Sequence, residues 1–144
     1  MPEHPTMRTL SREECDAILR RHQFGRLAFA YHDQVDIQPI HFVMKGDWLA
    51  GRTQEGSKLT TLQRRPYVAL EVDEVEGPYT WRSVVVQGSV YLIGDEPGRE
   101  TERAETIAAL REILPDAFTE GDRVPHRDVL FRIHIREVTG REAR

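Results

Sequence analysis

A succession of strand-type segments separated by short turns constrains the fold of this chain more than any other feature. Six segments favour strands, because they are rich in β-branched and aromatic residues with period-two patterning. They are residues 24–31, 35–44, 48–52, 67–72, 80–93 and a last run that begins at 129. So many twisted antiparallel strands in 144 residues would expose long edges unless the sheet curled upon itself. The sequence therefore predicts a mainly β protein, a small closed or nearly closed β-barrel.

Two segments predict helices at the periphery of this barrel. Ser11 and Glu14 have the spacing of a capping box, so a helix is expected from there to about His22. A second helix is expected over 97–114, where residues recur at helical spacing. The residues at that spacing are Ala104, Ile107, Ala108, Arg111 and Leu114.

The connections also carry local signals. Turns are expected at 32–34 and 45–47, and an acidic segment with Gly and Pro predicts a loop over 73–78. Gly88 interrupts the long strand at 80–93 and indicates a bulge or bend.

Residues 51–58 have a composition suited to holding a phosphate. They read Gly-Arg-Thr-Gln-Glu-Gly-Ser-Lys, with cations at Arg52 and Lys58 and hydroxyls at Thr53 and Ser57. Such groups bind phosphate oxygens, especially if a short helix begins at Ser57 and runs to 64. The final Ser-Lys order reverses that of the P-loop and argues against a nucleotide triphosphatase. A strand, a turn and a capped helix without any ligand would use the same residue types, so both interpretations stay open here.

Charge and composition exclude several classes of function. A net charge of −4 argues against a general nucleic-acid binder. No long apolar run suggests a membrane span, and Cys15, the one cysteine, can form no internal disulfide, so a cytoplasmic protein is expected. The six histidines show no metal-ligand spacing, so no metal site is expected. The length fits a single domain over residues 1–144.

The order of two motif blocks carries a resemblance to a known family. The first block comprises Pro-Ile-His-Phe-Val at 39–43, a turn, and the segment at 51–58, and the second is Trp-Arg-Ser-Val-Val-Val-Gln-Gly at 81–88. Over about residues 10–138 the chain resembles the pyridoxamine 5′-phosphate oxidase-like flavoproteins, and more narrowly the short branch that includes the nitroimidazole-resistance proteins. This resemblance implies an FMN-binding split barrel that forms a homodimer, with FMN held in two clefts between the subunits.

The resemblance also implies roles for particular residues. The FMN phosphate would be bound by Arg52, Thr53, Ser57 and Lys58. The isoalloxazine ring would be bordered by the strand backbone at Pro39, Ile40, His41 and Phe42, and approached from the long strand by Trp81 and Ser83. The residue chemistry and the family resemblance therefore both place a phosphate at residues 51–58.

The resulting hypothesis is an FMN-dependent oxidoreductase that acts on an unidentified small molecule, with a nicotinamide nucleotide as electron partner. His41 is the candidate proton donor or substrate contact, because it lies on the expected ring-facing strand and imidazole titrates near neutral pH. A structural histidine at the barrel rim would fit the same position. The alternatives are a deazaflavin-dependent reductase and a non-catalytic module that binds flavin or haem, with His41 or His134 as the axial ligand.

Overall fold

A computed structural model describes residues 4–62 and 66–144 of the chain. The first half contains β1 (Met7–Thr9), α1 (Arg12–Arg21), β2 (Phe24–Tyr31), β3 (Gln34–His41), β4 (Val43–Lys45), β5 (Trp48–Thr53) and a 3-10 turn (Lys58–Thr61). The second half contains β6 (Tyr67–Gly77), β7 (Thr80–Ile93), α2 (Glu100–Arg111) and β8 (Val129–Ala143). Neither α-helix of this described part is both long enough and apolar enough to cross a membrane.

The strands form one antiparallel sheet whose two edges approach each other. The strand order is β3-β2-β6-β7-β8-β5-β4, and β1 pairs with the end of β8. The edge strands β3 and β4 are separated in sequence by Phe42 alone, so the sheet must curl until its edges are close. They do not hydrogen-bond to each other along this order, and the sheet stays open. The predicted mainly β architecture with peripheral helices is confirmed, in its nearly closed form, as a split barrel.

Phe42 divides a segment that the sequence predicts as one strand over 35–44. Its side chain is fully buried, and its backbone amide donates to the carbonyl of Gln23 at 3.0 Å. The chain therefore leaves β3 at this residue and starts β4 on the other edge of the sheet. In contrast, β2 and β7 begin and end at the predicted residues.

The predicted acidic loop over 73–78 is wrong, because β6 continues to Gly77. Glu74 accepts hydrogen bonds from Arg21 at 2.5 and 2.7 Å and from Arg82 at 3.3 Å. The Arg21 guanidinium lowers the pKa of Glu74 to about 2. Pairing with cations on neighbouring elements thus allows an acidic sequence to remain in the sheet.

The last strand and the second helix also differ from their predicted faces. Apolar residues at 129, 131, 133 and 135 predict one buried face for β8, but Leu130 and Arg132 on the opposite face are buried as well. Helix α2 covers them: Arg132 donates through Nε to Thr106 Oγ1 at 2.8 Å and through Nη2 to the Glu102 carbonyl at 3.1 Å. The buried residues of α2 are Thr106, Ala109 and Leu110, while Ala104 and Ala108 of the predicted stripe are not among them. A polar anchor on another strand sets the helix rotation, which apolar spacing alone cannot show.

The main core lies inside the curl of the sheet, and α1 packs across one end. The helix contributes Cys15, Ile18 and Leu19, each at most 2% exposed. Cys15 is buried in this core as a small apolar side chain, and burial raises the pKa of its thiol. The β7–β8 pairing shifts register between Gln87 and Gly88, which confirms the predicted bulge.

The capping box at the start of α1 forms as the sequence predicts. Ser11 Oγ accepts from the Glu14 amide at 3.2 Å, and Glu14 Oε1 accepts from the Ser11 amide at 3.0 Å. We expect Ser11→Ala to lower the free energy of unfolding by about 1 kcal/mol, measured by urea denaturation. Ser89 provides the control for removing a hydroxyl, because it lies within β7 and caps no helix. Equal losses in Ser11→Ala and Ser89→Ala would contradict this assignment.

Candidate functional site

A cleft of about 430 Å³ lies where the sheet stays open. One wall is β3, and another is the end of β5 with the loop that follows it. The third is the connection between α2 and β8, residues 112–128, which we call the α2–β8 loop. The lining residues are Gln38, Pro39, Ile40, His41, Arg52, Thr53, Gln54, Ser57, Leu114, Arg123, Val124 and Arg127.

Six of the residues that the sequence assigns to a ligand site meet in this cleft. They are Pro39, Ile40 and His41 from β3 together with Arg52, Thr53 and Ser57. Two other surface depressions of similar volume contain none of the assigned residues. The open edge of the barrel is therefore the candidate functional site.

Arg52 is buried and holds the α2–β8 loop. Its Nη1 and Nη2 donate to the two carboxylate oxygens of Asp122 at 3.2 and 2.7 Å, and its Nε donates to the Arg127 carbonyl at 2.6 Å. A further bond runs from Nη2 to the Val124 carbonyl at 3.2 Å, and the guanidinium lies 4.5 Å from the centre of the Phe118 ring. Four of its five N–H donors are thus used within the protein.

Acidification is expected to weaken the Arg52–Asp122 contact. The guanidinium, with amides of the same loop, holds the pKa of Asp122 below its ordinary value of 3.8. The folded state therefore binds this proton less tightly than the unfolded state, so the stabilisation is present above about pH 4 and is lost as the pH falls. We expect the difference in unfolding free energy between the wild type and Asp122→Asn to shrink from pH 7 to pH 3 in urea titrations. A constant difference over this range would contradict the assignment.

Thr53 and Ser57 place two hydroxyls together at the cleft. Thr53 Oγ1 donates to Ser57 Oγ at 3.1 Å, and the Ser57 amide donates to the Gln54 carbonyl at 3.2 Å. The helix predicted over 57–64 is instead a 3-10 turn of four residues, Lys58–Thr61. Its bonds link residues three apart, with Pro66 following closely, and residues 63 and 64 lie outside the described chain. The turn is too short to offer a helix dipole to a ligand.

The two glycines of this segment would, in the phosphate interpretation, free backbone N–H groups for the ligand, but the structure uses them differently. Gly51 lies within β5, paired with Phe131 of β8, so its position is part of the sheet rather than of an open loop. Gly56 has a φ of +81°, and a Cβ added there would meet no atom within 4 Å, so this glycine serves the turn. Hydroxyl and basic side chains therefore remain the candidate groups of this segment for holding an anion.

Lys58 lies outside the cleft lining and is engaged elsewhere. Its Nζ is 2.8 Å from Asp36 Oδ2 on β3, and its side chain is 51% exposed. The Asp36 carboxylate raises the pKa of Lys58. Exposed pairs of this kind contribute little to stability, so an incoming anion can replace Asp36 at low cost.

The other assigned residues are not at the cleft of this chain. Phe42 is buried in the core. Trp81 lines a separate small cavity beside Glu74, and the Ser83 hydroxyl donates to Glu71 Oε2 at 2.8 Å.

His41, the candidate proton donor, lines the cleft, with its ring edge-on to Phe24 at a centroid distance of 5.0 Å. Its role as a proton donor stays a prediction.

Two arginines of the cleft were missed by sequence reasoning. Arg123 and Arg127 line it from the α2–β8 loop, and both stand at its surface. Their side chains make no hydrogen bond or ion pair within residues 4–62 and 66–144, whereas Arg52 and Lys58 are bound to carboxylates. The only local signal is a turn-rich sequence with two cations, which does not show where the loop lies.

The fold and the position of the cleft define a class of protein. An open antiparallel barrel with helices at its periphery presents a cleft at its split edge. The chain belongs to the pyridoxamine 5′-phosphate oxidase family, whose model matches residues 11–142. In the described part of the chain, no group of three or more His, Cys, Asp or Glu residues is placed to hold a metal ion.

Solved structures show the same fold. An FAD-binding protein from Mesorhizobium loti is 31% identical, with a TM-score of 0.76 over 96% of this chain and 99% of that one. The FAD-binding protein from Mycobacterium smegmatis is 25% identical, with a TM-score of 0.69 over 94% of this chain and 99% of that one. A candidate 5-nitroimidazole antibiotic resistance protein from Bacteroides thetaiotaomicron shares the fold at 19% identity, with a TM-score of 0.68 over 98% of this chain and 91% of that one.

Proposed function

We propose that the cleft binds FMN and that the protein is a flavin-dependent oxidoreductase acting on a small molecule. The observation that carries this proposal is the meeting of Pro39, Ile40 and His41 with Thr53 and Ser57 in one cleft of about 430 Å³. These are the residues that the family resemblance assigns to the ring and the phosphate. The FAD-binding proteins among the structural neighbours support a flavin as the ligand.

The edge strand β3 is suited to a planar heteroaromatic ring. It pairs with β2 on one side only, so backbone N–H and C=O groups on its other side are available to a ligand. Pro39 and Ile40 add apolar side chains to this wall, and Pro39 itself has no amide hydrogen to donate. A bound flavin supplies the hydride and electron chemistry. The chain's own part is to hold the ring, exclude water and place His41 beside the substrate.

The phosphate would lie against the hydroxyls of Thr53 and Ser57. These two side chains bond to each other across the cleft wall and can turn as donors toward an oxyanion. Lys58 joins them by exchanging its exposed contact with Asp36 for the phosphate. Arg52 has four of its five N–H donors committed within the protein, so its main contribution is to hold the wall of the cleft.

We further propose a homodimer in which the cofactor lies between subunits. An apolar outer face on β3 and β6 supports it: Val35 is 82% exposed, Ile37 66% and Tyr67 60%. Ala28 on the intervening strand β2 pairs with Ile37 of β3 on one side and with Ala69 of β6 on the other, so the face is continuous. A second copy covering this face would remove apolar area from water. It would also explain why Trp81 and Ser83 lie away from the cleft of their own chain, because those of the partner subunit would approach it.

The cofactor is tested by the visible absorption spectrum of the purified protein, followed by denaturation and mass analysis of the released ligand. We expect flavin bands and the mass of FMN. A single shifted band would indicate a deazaflavin, and a Soret band would indicate haem. A colourless protein that does not take up added FMN would overturn the proposal.

The proposed homodimer is tested by sedimentation, and a flavin-loaded monomer would overturn it. A cytoplasmic location stays a prediction.

The phosphate assignment is tested separately with the double variant Thr53→Val/Ser57→Ala. We expect it to bind FMN roughly tenfold or more weakly, because two hydrogen bonds to a charged group are lost. Its affinity for riboflavin, which has no phosphate, should change little. Ser89→Ala, on β7 outside the cleft, is the matched control for removing a hydroxyl. An equal loss for FMN and riboflavin would contradict the assignment.

A further inference from the structure

The charge of the cleft is concentrated in the α2–β8 loop. No acidic residue of the described chain lines the cleft, although the protein as a whole carries a net charge of −4. Its lining contains Arg52, Arg123 and Arg127. The charge of Arg52 is neutralised by Asp122, since their side chains are 4% and 6% exposed and 2.7 Å apart. The uncompensated charge therefore belongs to Arg123 and Arg127.

The backbone that carries these two arginines is held in place. Asp122 accepts from the Val124 amide at 3.0 Å, which fixes the residues on both sides of Arg123. The Arg127 amide donates to the Val124 carbonyl at 2.9 Å, and the Arg127 carbonyl accepts from Arg52 at 2.6 Å. The two side chains have no partner within residues 4–62 and 66–144, while their attachment points are fixed. A fixed backbone lowers the entropy cost of bringing the two guanidinium groups onto a ligand.

From this arrangement we infer that Arg123 and Arg127 form an oxyanion-binding pair, specific for a phosphate group of the ligand in the cleft. The inference rests on the proposed flavin site and names the residues that supply its positive charge. Guanidinium groups bind phosphate with paired N–H donors, which suits two uncommitted arginines on one wall. Arg52 is a positioning residue: it holds the loop that carries Arg123 and Arg127, and so affects phosphate binding indirectly.

The phosphate has two possible sources: the flavin itself, or a nicotinamide nucleotide bound beside it. Riboflavin, FMN and NADPH distinguish them. Flavin affinity is measured by fluorescence quenching on the wild type and on Arg123→Gln, Arg127→Gln and the double variant. NADPH is then titrated into the FMN-loaded proteins. Arg20→Gln is the matched control, because Arg20 is an exposed arginine on α1 away from this cleft.

If the flavin supplies the phosphate, the double variant should bind FMN roughly 10- to 100-fold more weakly, with riboflavin affinity unchanged. The salt dependence of FMN binding should also decrease. If the nicotinamide nucleotide supplies it, FMN affinity is retained and NADPH binding is lost by a similar factor. Arg127→Lys keeps the positive charge, so in either case it should bind the phosphate-bearing ligand more tightly than Arg127→Gln does.

Unchanged affinities for both FMN and NADPH in the double variant would overturn the inference while leaving the flavin site intact. A wild type that binds neither riboflavin nor FMN would instead overturn the proposed function. Neither side chain is buried, so the variants should retain the wild-type melting temperature. A variant with a lower melting temperature and an equal loss of riboflavin binding would show a structural role and also overturn the inference.

Discussion

Replacing Arg52 with methionine is expected to lower the free energy of unfolding by about 2–4 kcal/mol. The change removes four hydrogen bonds and leaves the Asp122 carboxylate buried without its cation. The α2–β8 loop would lose its attachment to the end of β5. Urea denaturation followed by circular dichroism measures the loss, and flavin binding should weaken with it because one wall of the cleft is released.

The control for Arg52 is a second cation of the same segment. Lys58→Met breaks an exposed ion pair with Asp36, so it should leave the unfolding midpoint close to that of the wild type. The double variant Arg52→Met/Asp122→Leu should be less destabilised than the sum of the two single variants, since no charge is then left unpaired. Similar stability in Arg52→Met and Lys58→Met would show that the buried pair has no structural role.

Gly51→Ala is expected to cost about 3 kcal/mol. A Cβ at this position would lie 2.3 Å from Cζ of Phe131, whose ring is 1% exposed and packed in the core. The ring cannot move without disturbing its neighbours, so the strand pair β5–β8 must separate or the core must repack. Because Arg52 follows directly in the chain, ligand binding should weaken as well. Thermal and urea unfolding measure the effect.

Gly77 offers the matched control for Gly51. No atom lies within 4 Å of an added Cβ there, and its φ is not in the left-handed region, so Gly77→Ala should be within about 0.5 kcal/mol of the wild type. Phe131→Leu combined with Gly51→Ala should recover part of the loss by vacating the ring position. No recovery in the double variant would mean that the contact with Phe131 is not the cause.

Local signals in the sequence were sufficient for the elements that depend on local contacts. The capping box at Ser11 and Glu14 forms within one turn of chain, and the bounds of β2 and β7 follow from runs of β-type residues. The bulge at Gly88 was also predicted from the glycine alone. The order of the motif blocks was enough to indicate the family, which the match over residues 11–142 confirms.

Contacts between distant residues decided the rest. The rotation of α2 depends on Arg132 of β8, and the strand character of Glu74 depends on Arg21 and Arg82. No pattern within either segment contains its partner, so apolar spacing placed the helix face incorrectly and acidity suggested a loop.

The candidate site shows the same division. The sequence by itself determined the barrel class, the strand that faces the cleft and the hydroxyls of Thr53 and Ser57. Only the tertiary structure decided that Arg52 binds Asp122, seventy residues away, and that Arg123 and Arg127 carry the free charge. The reason is physical: residue type fixes which charges a chain has, but folding determines which of them are neutralised by a partner and which remain for a ligand.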